Sequence, residues 1–217
     1  MITVIEGATG SGKSWFMARL AYKAWGNMAD VYANFTLKFS DKNEGVARWH
    51  NLDEIYHLHH GVILIDEAVK LFDARRWASL PVAFAEKIAQ HRHHFLDILT
   101  ATQDFSHIDV RVRQNVHVRY ICQSHFRLPS EERGHPFLQI ISITKKIREH
   151  VSDTEQLRWK LKKKRYHLIS RFWTKTLYDS YANLSTEQYI CKLKLNQKQW
   201  TLQLYSREMV DRGKARI

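Results

Sequence analysis

Residues 7 to 14 read Gly-Ala-Thr-Gly-Ser-Gly-Lys-Ser, between the apolar run Ile2-Thr3-Val4-Ile5 and a helix-like stretch from Ser14 to Trp25. A glycine, four residues and then Gly-Lys-Ser is the spacing of a phosphate-binding loop, and it requires a strand before it and a helix after it. Both are predicted here. Three of the eight glycines in the chain, Gly7, Gly10 and Gly12, fall inside this segment, where the backbone must curl so that several N–H groups converge on one phosphate. Within such a loop, Ala8, Thr9, Ser11 and Trp15 complete the nucleotide contacts. Lys13 reaches the outer phosphate oxygens and the Ser14 hydroxyl is placed to bind Mg²⁺. The motif therefore predicts ATP and Mg²⁺ as cofactors and an α/β fold with a mostly parallel sheet.

A second segment points the same way. Gly61-Val62-Ile63-Leu64-Ile65 is continuously apolar and ends in Asp66-Glu67, which is how a strand buried on both faces delivers carboxylates to the carboxyl edge of a parallel sheet. Asp66 is expected to hold Mg²⁺ through water, and Glu67 to act as general base on the attacking water. A third apolar run, Phe95 to Ala101, ends in Thr102-Gln103. At the same edge, Gln103 could touch both the γ-phosphate and the attacking water.

The net charge of +12 is unevenly spread. Residues 1 to 144 carry 16 Lys/Arg against 15 Asp/Glu, whereas residues 145 to 217 carry 18 against 7. The expected organisation is a nucleotide-binding core over 1–144 and a basic C-terminal extension over 145–217, packed on that core. The run Lys160-Leu161-Lys162-Lys163-Lys164-Arg165, with Trp159, Tyr166, Trp173 and Trp200 among the charges, suits a nucleic-acid track through phosphate neutralisation and base stacking. Solvated helix faces also look like this. No apolar run approaches the ~20 residues that span a bilayer, and no signal peptide is evident, so the chain is expected to be soluble and intracellular. Cys122 and Cys191 are too few for a disulfide framework.

Further elements follow from local pattern. Val31 to Phe35 reads as a strand, and Lys38 to Asn51 as a polar connection before a short helix near Asp53 to Leu58. One extra strand is thus expected between the phosphate loop and the acidic pair. A helix follows Pro81, and strands are predicted at His117 to Cys122 and at Phe137 to Ile143. Ser152-Asp153-Thr154-Glu155 has the form of a capping box, predicting a basic helix to about His167 with Leu157 and Leu161 inward. The thirteen histidines, including His57, His59 and His60 and His91, His93 and His94, lack the spacing of a zinc site. Asp97, within an apolar strand, reads as a paired buried acid.

Several segments resemble the zonular occludens toxin (Zot) domain of filamentous-phage assembly ATPases, in the HerA/FtsK class of DNA-pumping motors. They are Gly7 to Ser14, Val31 to Phe35, Ile65 to Ala68 and, above all, His91-Arg92-His93-His94 through Asp97, Thr102-Gln103-Asp104, Ile108-Asp109 and Val112-Arg113. Tyr166 to Tyr181 resembles the closing segment of that family. The resemblance implies a phosphate-loop fold of the additional-strand, catalytic-glutamate type, a homo-oligomeric ring, and DNA translocation. It also implies an arginine that reaches a neighbour's γ-phosphate, for which Arg92 is the first choice and Arg75, Arg76, Arg111 and Arg113 compete. Where the family usually has Gly after the His pair, this chain has Phe95. Zot-type proteins commonly continue into a transmembrane helix and this sequence does not, so the expectation is a compact relative resembling viral genome-packaging ATPases. Filamentous-phage extrusion and a nucleotide-dependent scaffold are the alternatives, a small-molecule kinase a weaker one, and capsid or membrane assembly proteins are conceivable partners.

Overall fold

The computed structural model describes residues 1–39, 44–74, 82–128, 138–151 and 154–170. Its centre is one eight-stranded sheet in the order β3-β2-β4-β5-β1-β6-β7-β8. The strands are β1 Ile2–Glu6, β2 Val31–Ala33, β3 Val46–Arg48, β4 Gly61–Ile65, β5 Leu96–Thr102, β6 Val118–Leu128, β7 Leu138–Val151 and β8 Thr154–Ser170. Strands β1 to β6 run parallel, β7 joins antiparallel to β6, and β8 pairs antiparallel with β7. Helix α1, Lys13–Gly26, covers one face, and α2 Leu52–Tyr56, α3 Val69–Phe72, α4 Val82–Ala89 and α5 Val110–Gln114 accompany the other strands.

Both faces of the parallel part are dry, which explains the unbroken apolar runs in the sequence. Alternate residues of β1 serve opposite cores. Ile5 packs with Trp15, Phe16, Met17, Ala18 and Leu64 in one cluster, while Ile2 and Val4 pack with Ile63, Ile65, Phe72, Phe84 and Ile88 in the other. Full burial of each such aliphatic or aromatic side chain contributes about 1.5–3 kcal/mol, so the positions of the strand ends are fixed by two cores at once. Lys87, buried on the helix side, donates to the Tyr56 and Leu58 carbonyls that end α2, each at 3.0 Å.

The expected helix from residue 152 to 167 is not formed. Of these, residues 154 to 167 belong to β8, paired with β7 from Val151↔Thr154 to Leu138↔Ser170. Leu157 and Leu161 are four apart, a spacing that is even in a strand and one turn in a helix, so the pattern fits either. Leu161 is in fact 61% exposed, and strand pairing over the whole of β7 outweighs the local capping signal. Strand β7 passes through residue 144 without a break. The polar connection from Lys38 to Asn51 contains β3, so two strands, β2 and β3, lie between the phosphate loop and the acidic pair in the sequence. In space it is β5 that separates β1 from β4. Asp97 is exposed rather than buried. Arg75, Arg76, Trp173, Cys191 and Trp200, and the closing segment beyond residue 170, lie outside the described residues.

Candidate nucleotide site

The carboxyl ends of β1, β4 and β5 meet at one edge of the sheet. After Glu6 the chain turns through Gly7, Gly10 and Gly12 with φ of +153°, +75° and +86°, conformations that side chains rarely tolerate. Gly7 has a further constraint, since a Cβ there would lie 2.3 Å from the Cys122 carbonyl oxygen. Gly12 caps α1 without any side-chain hydrogen bond, and no acidic residue lies in the first turn. The helix amides and the positive end of its dipole are thus directed at the concave side of the loop, a ready anion site.

Lys13 Nζ lies inside that concavity, donating to the carbonyls of Gly7 at 2.7 Å and Ala8 at 2.9 Å. Burial lowers the pKa of its ammonium, and the neighbouring carboxylates of Asp66 and Glu67 oppose the shift. Ser14 Oγ donates to Asp66 Oδ2 at 2.8 Å. A hydroxyl and a carboxylate side by side are the hard oxygen donors that Mg²⁺ takes, so the residues present fit the predicted metal. Burial pushes the Asp66 carboxyl above the usual carboxylate range, against hydrogen bonds from the Ser14 hydroxyl and the Glu67 amide, which favour its ionised form. A cation beside it would reverse that balance.

Glu67 follows in a left-handed backbone conformation, φ +53°, its amide donating to Asp66 Oδ1 at 2.9 Å. Its side chain is exposed and ion-paired with Lys70 one turn on. Gln103, at the end of β5, reaches the loop and donates to Thr9 Oγ1 at 3.4 Å. The loop, the acidic pair and the strand-terminal amide are therefore brought together. The Trp15 side chain is not at the site: it is 3% exposed in the core, against His167 of β8, which leaves only its backbone for a nucleotide.

Arg92 lies in the turn before β5, at the amino edge of the sheet, and donates from Nη2 to His117 Nε2 at 2.5 Å. The seven residues of β5 put it about 20 Å from the loop of its own subunit. At that distance it does not touch its own phosphate loop. Arg111 is committed to Asp109, the N-cap of α5, through two bonds of 3.0 Å. Phe95, exposed and stacked on His60, has φ +54°, which gives the physical reason that glycine suits this position.

Three residues of the site were not singled out by sequence. Asn34, at the end of β2, accepts from the Asp66 amide at 2.8 Å and donates to the Asp66 carbonyl at 2.9 Å, fixing the backbone from which the carboxylate projects. Gln139 of β7 donates to the Gly10 carbonyl at 2.6 Å. Arg127 of β6 lies over Gly10. Asn34 stood in a recognised segment, but Gln139 and Arg127 are 129 and 117 residues from Gly10 and carry no local signal. Cys122 is buried, and burial pushes its thiol up to about 12, so it is chemically quiet. Among the described residues no group of three or more His, Cys, Asp or Glu could hold a metal ion, and no helix is long and apolar enough to cross a membrane.

The Zot family model, described as zonular occludens toxin, matches residues 23–182. The comparison with curated proteins gave no match. Among solved structures, the N-terminal domain of zonular occludens toxin from Neisseria meningitidis is 18% identical, with 82% of this chain and 98% of that one covered at a TM-score of 0.47. The genome packaging NTPase B204 from Sulfolobus turreted icosahedral virus 2, in complex with ATP-gammaS, is 13% identical over 73% of this chain and 95% of that one, TM-score 0.45. The flagellar accessory protein FlaH from Methanocaldococcus jannaschii is 15% identical over 67% and 76%, TM-score 0.47. Likeness of this degree adds nothing to the chemistry, which rests on the geometry above. The family match spans well over half of the sequence, and the chain belongs to the zonular occludens toxin family, with the fold and loop of a P-loop nucleoside triphosphatase.

Proposed function

We propose that the protein is a Mg²⁺-dependent ATPase that moves viral DNA, with genome packaging as its task. The observation that carries this reading is the convergence at one sheet edge: Lys13 inside the glycine-lined loop, Ser14 and Asp66 at 2.8 Å, and Gln103 touching Thr9. In the proposed cycle the loop amides and Lys13 bind the phosphates, and Ser14 and Asp66 hold the metal, which neutralises phosphate charge. Glu67 accepts a proton from the attacking water. Its left-handed backbone is the kind of local strain that a well-determined site can hold. Gln103 orients the same water and, through Thr9, reports on the loop.

Two observations support coupling of this site to DNA. Strand β8 presents Lys160, Lys162, Lys163, Lys164, Arg165 and Tyr166 to solvent, positive charge with an aromatic suited to a phosphate backbone. A packed chain also links that strand to the nucleotide edge. Trp159 of β8 meets Phe105 at 5.8 Å between ring centroids, the Arg119 guanidinium lies 4.5 Å from the Phe105 ring, and Arg119 grips buried Glu6, the residue before the loop, at 2.8 and 2.7 Å. Phe105 is two residues from Gln103. In a ring of such subunits, Arg92 is the proposed arginine acting on a neighbour's γ-phosphate. Its position far from its own loop is what such a role requires. Membership of the Zot family favours a second reading, extrusion of a filamentous genome, which uses the same cycle.

The test is an ATPase assay with and without DNA. Turnover should require Lys13, vanish in Lys13→Ala, and rise with DNA, the rise weakening steeply from 50 to 200 mM salt as phosphate contacts are lost. Subunit mixing with Arg92→Ala should cause a steeper than linear loss. A rate indifferent to DNA in all conditions rejects the motor and leaves a nucleotide-dependent scaffold.

A further inference from the structure

The sheet does not stop at the phosphate loop. Strand β6 pairs with β1 only as far as Glu6↔Ile121, then continues to Leu128 alongside β7, so its last residues rise past the loop. The register with β7 shifts there: Ser124 pairs with Ile141 but Phe126 pairs with Ile140, leaving His125 as an extra residue. A one-residue bulge reverses which face the following side chains take. In an unbroken register Arg127 would face away from Ile141 and α1. With the bulge it pairs with Gln139 and shares its face, the face on which Ile141 touches the Gly12 position.

Both members of that cross-strand pair meet the same loop residue. Gln139, 3% exposed, donates to the Gly10 carbonyl at 2.6 Å and to Ser124 Oγ at 2.9 Å. A Cβ on Gly10 would lie 2.8 Å from Arg127 Nη1. The guanidinium thus rests against a glycine whose φ of +75° turns its backbone within the loop. Among the described residues no carboxylate pairs with Arg127. A planar five-donor cation held beside a phosphate loop, with no carboxylate paired to it among the described residues, has the chemistry of a bidentate phosphate ligand.

We propose that Arg127 is a phosphate-binding residue of the nucleotide site, supplied by the same subunit and aimed by the bulge at His125, with Gln139 as the positioning residue that fixes Gly10. The inference rests on the proposed nucleoside triphosphate site and adds a second cation to Lys13. It differs from the role proposed for Arg92, which acts between subunits, because Arg127 needs no neighbour.

Titration with a fluorescent ATP analogue and Mg²⁺ tests it in the full chain, using wild type, Arg127→Ala, Arg127→Lys and Lys13→Ala, each checked for an unchanged thermal midpoint. Loss of a charge-assisted contact should weaken binding roughly tenfold to a hundredfold in Arg127→Ala. Arg127→Lys should fall between, since a point charge replaces the fork. Deletion of His125 should reproduce the Arg127→Ala loss with the arginine still present. Arg127→Ala that binds within twofold of a binding wild type overturns the proposal. A wild type that fails to bind the analogue overturns the triphosphate site itself, and so separates the two failures. Should Arg127→Ala not fold, Arg127→Lys at wild-type affinity is the overturning result.

Discussion

A single methyl group at Gly7 should be among the most damaging changes the protein can suffer, because the backbone packed around it leaves no room for a side chain. The Cβ of Gly7→Ala would lie 2.3 Å from the backbone oxygen of Cys122 and 2.6 Å from Ser11 Oγ. Neither contact is with the flexible end of a long side chain. The carbonyl belongs to β6, clamped against β1 through Thr3↔Val118 to Glu6↔Ile121, and Ser11 is 2% exposed. Relief demands about 1 Å of movement by strand or loop, comparable to overpacking a core, about 1–3 kcal/mol. The φ of +153° adds about 1–3 kcal/mol for a residue with a side chain. The sum, roughly 2–6 kcal/mol, is a large part of the ~5–15 kcal/mol of a typical domain. Urea unfolding should show a lower midpoint, and nucleotide binding should be lost. Gly26→Ala is the internal control: nothing lies within 4 Å of its added methyl, it ends α1, and it should gain about 0.5–1 kcal/mol. A Gly7→Ala protein within 0.5 kcal/mol of wild type would refute the loop geometry, because the methyl cannot be seated without displacing the Cys122 carbonyl.

Other outcomes follow from the same site. Asp66→Asn should raise the thermal midpoint of metal-free protein at pH 7 while abolishing turnover. The folded carboxyl has a raised pKa, so its ionised form costs stability above that pKa, and the cost fades as pH falls through it. Because a bound cation favours the ionised carboxylate, the acid limb of the ATPase rate should move to lower pH as Mg²⁺ is raised. Asn34→Ala removes both bonds to the Asp66 backbone and should cost about 1–3 kcal/mol in urea and weaken Mg²⁺ dependence. Phe95→Gly should raise stability by about 0.5–1 kcal/mol, because a left-handed non-glycine residue costs about 1–2 kcal/mol and the ring, 71% exposed, has little burial to lose.

The parts of the fold legible in the sequence are those where burial on both faces wrote a continuous apolar run and the chemistry came directly after it. Ile2 to Glu6 with the loop, Gly61 to Ile65 with Asp66-Glu67, and Leu96 to Thr102 with Gln103 are of this kind. Strand β3 is only three residues long, Val46–Arg48, too short to impose a period. Strand β8 was misread because its residues 160 to 166 are exposed on both faces. With neither face buried, no alternation of apolar and polar residues is required, and the local capping string prevailed in the reading. Arg127 and Gln139 could not be found locally at all: their meeting with Gly10 depends on β6 lying beside β1, on β7 lying beside β6, and on one extra residue at position 125.

The central claim is that Glu67 activates water for attack on a triphosphate held by the loop and by Ser14 and Asp66. Single-turnover hydrolysis by Glu67→Gln, measured beside its ATP affinity, tests this most directly. The account predicts wild-type affinity within a few-fold and a rate reduced by about 10²- to 10⁴-fold. Hydrolysis at the wild-type rate with affinity unchanged would contradict it.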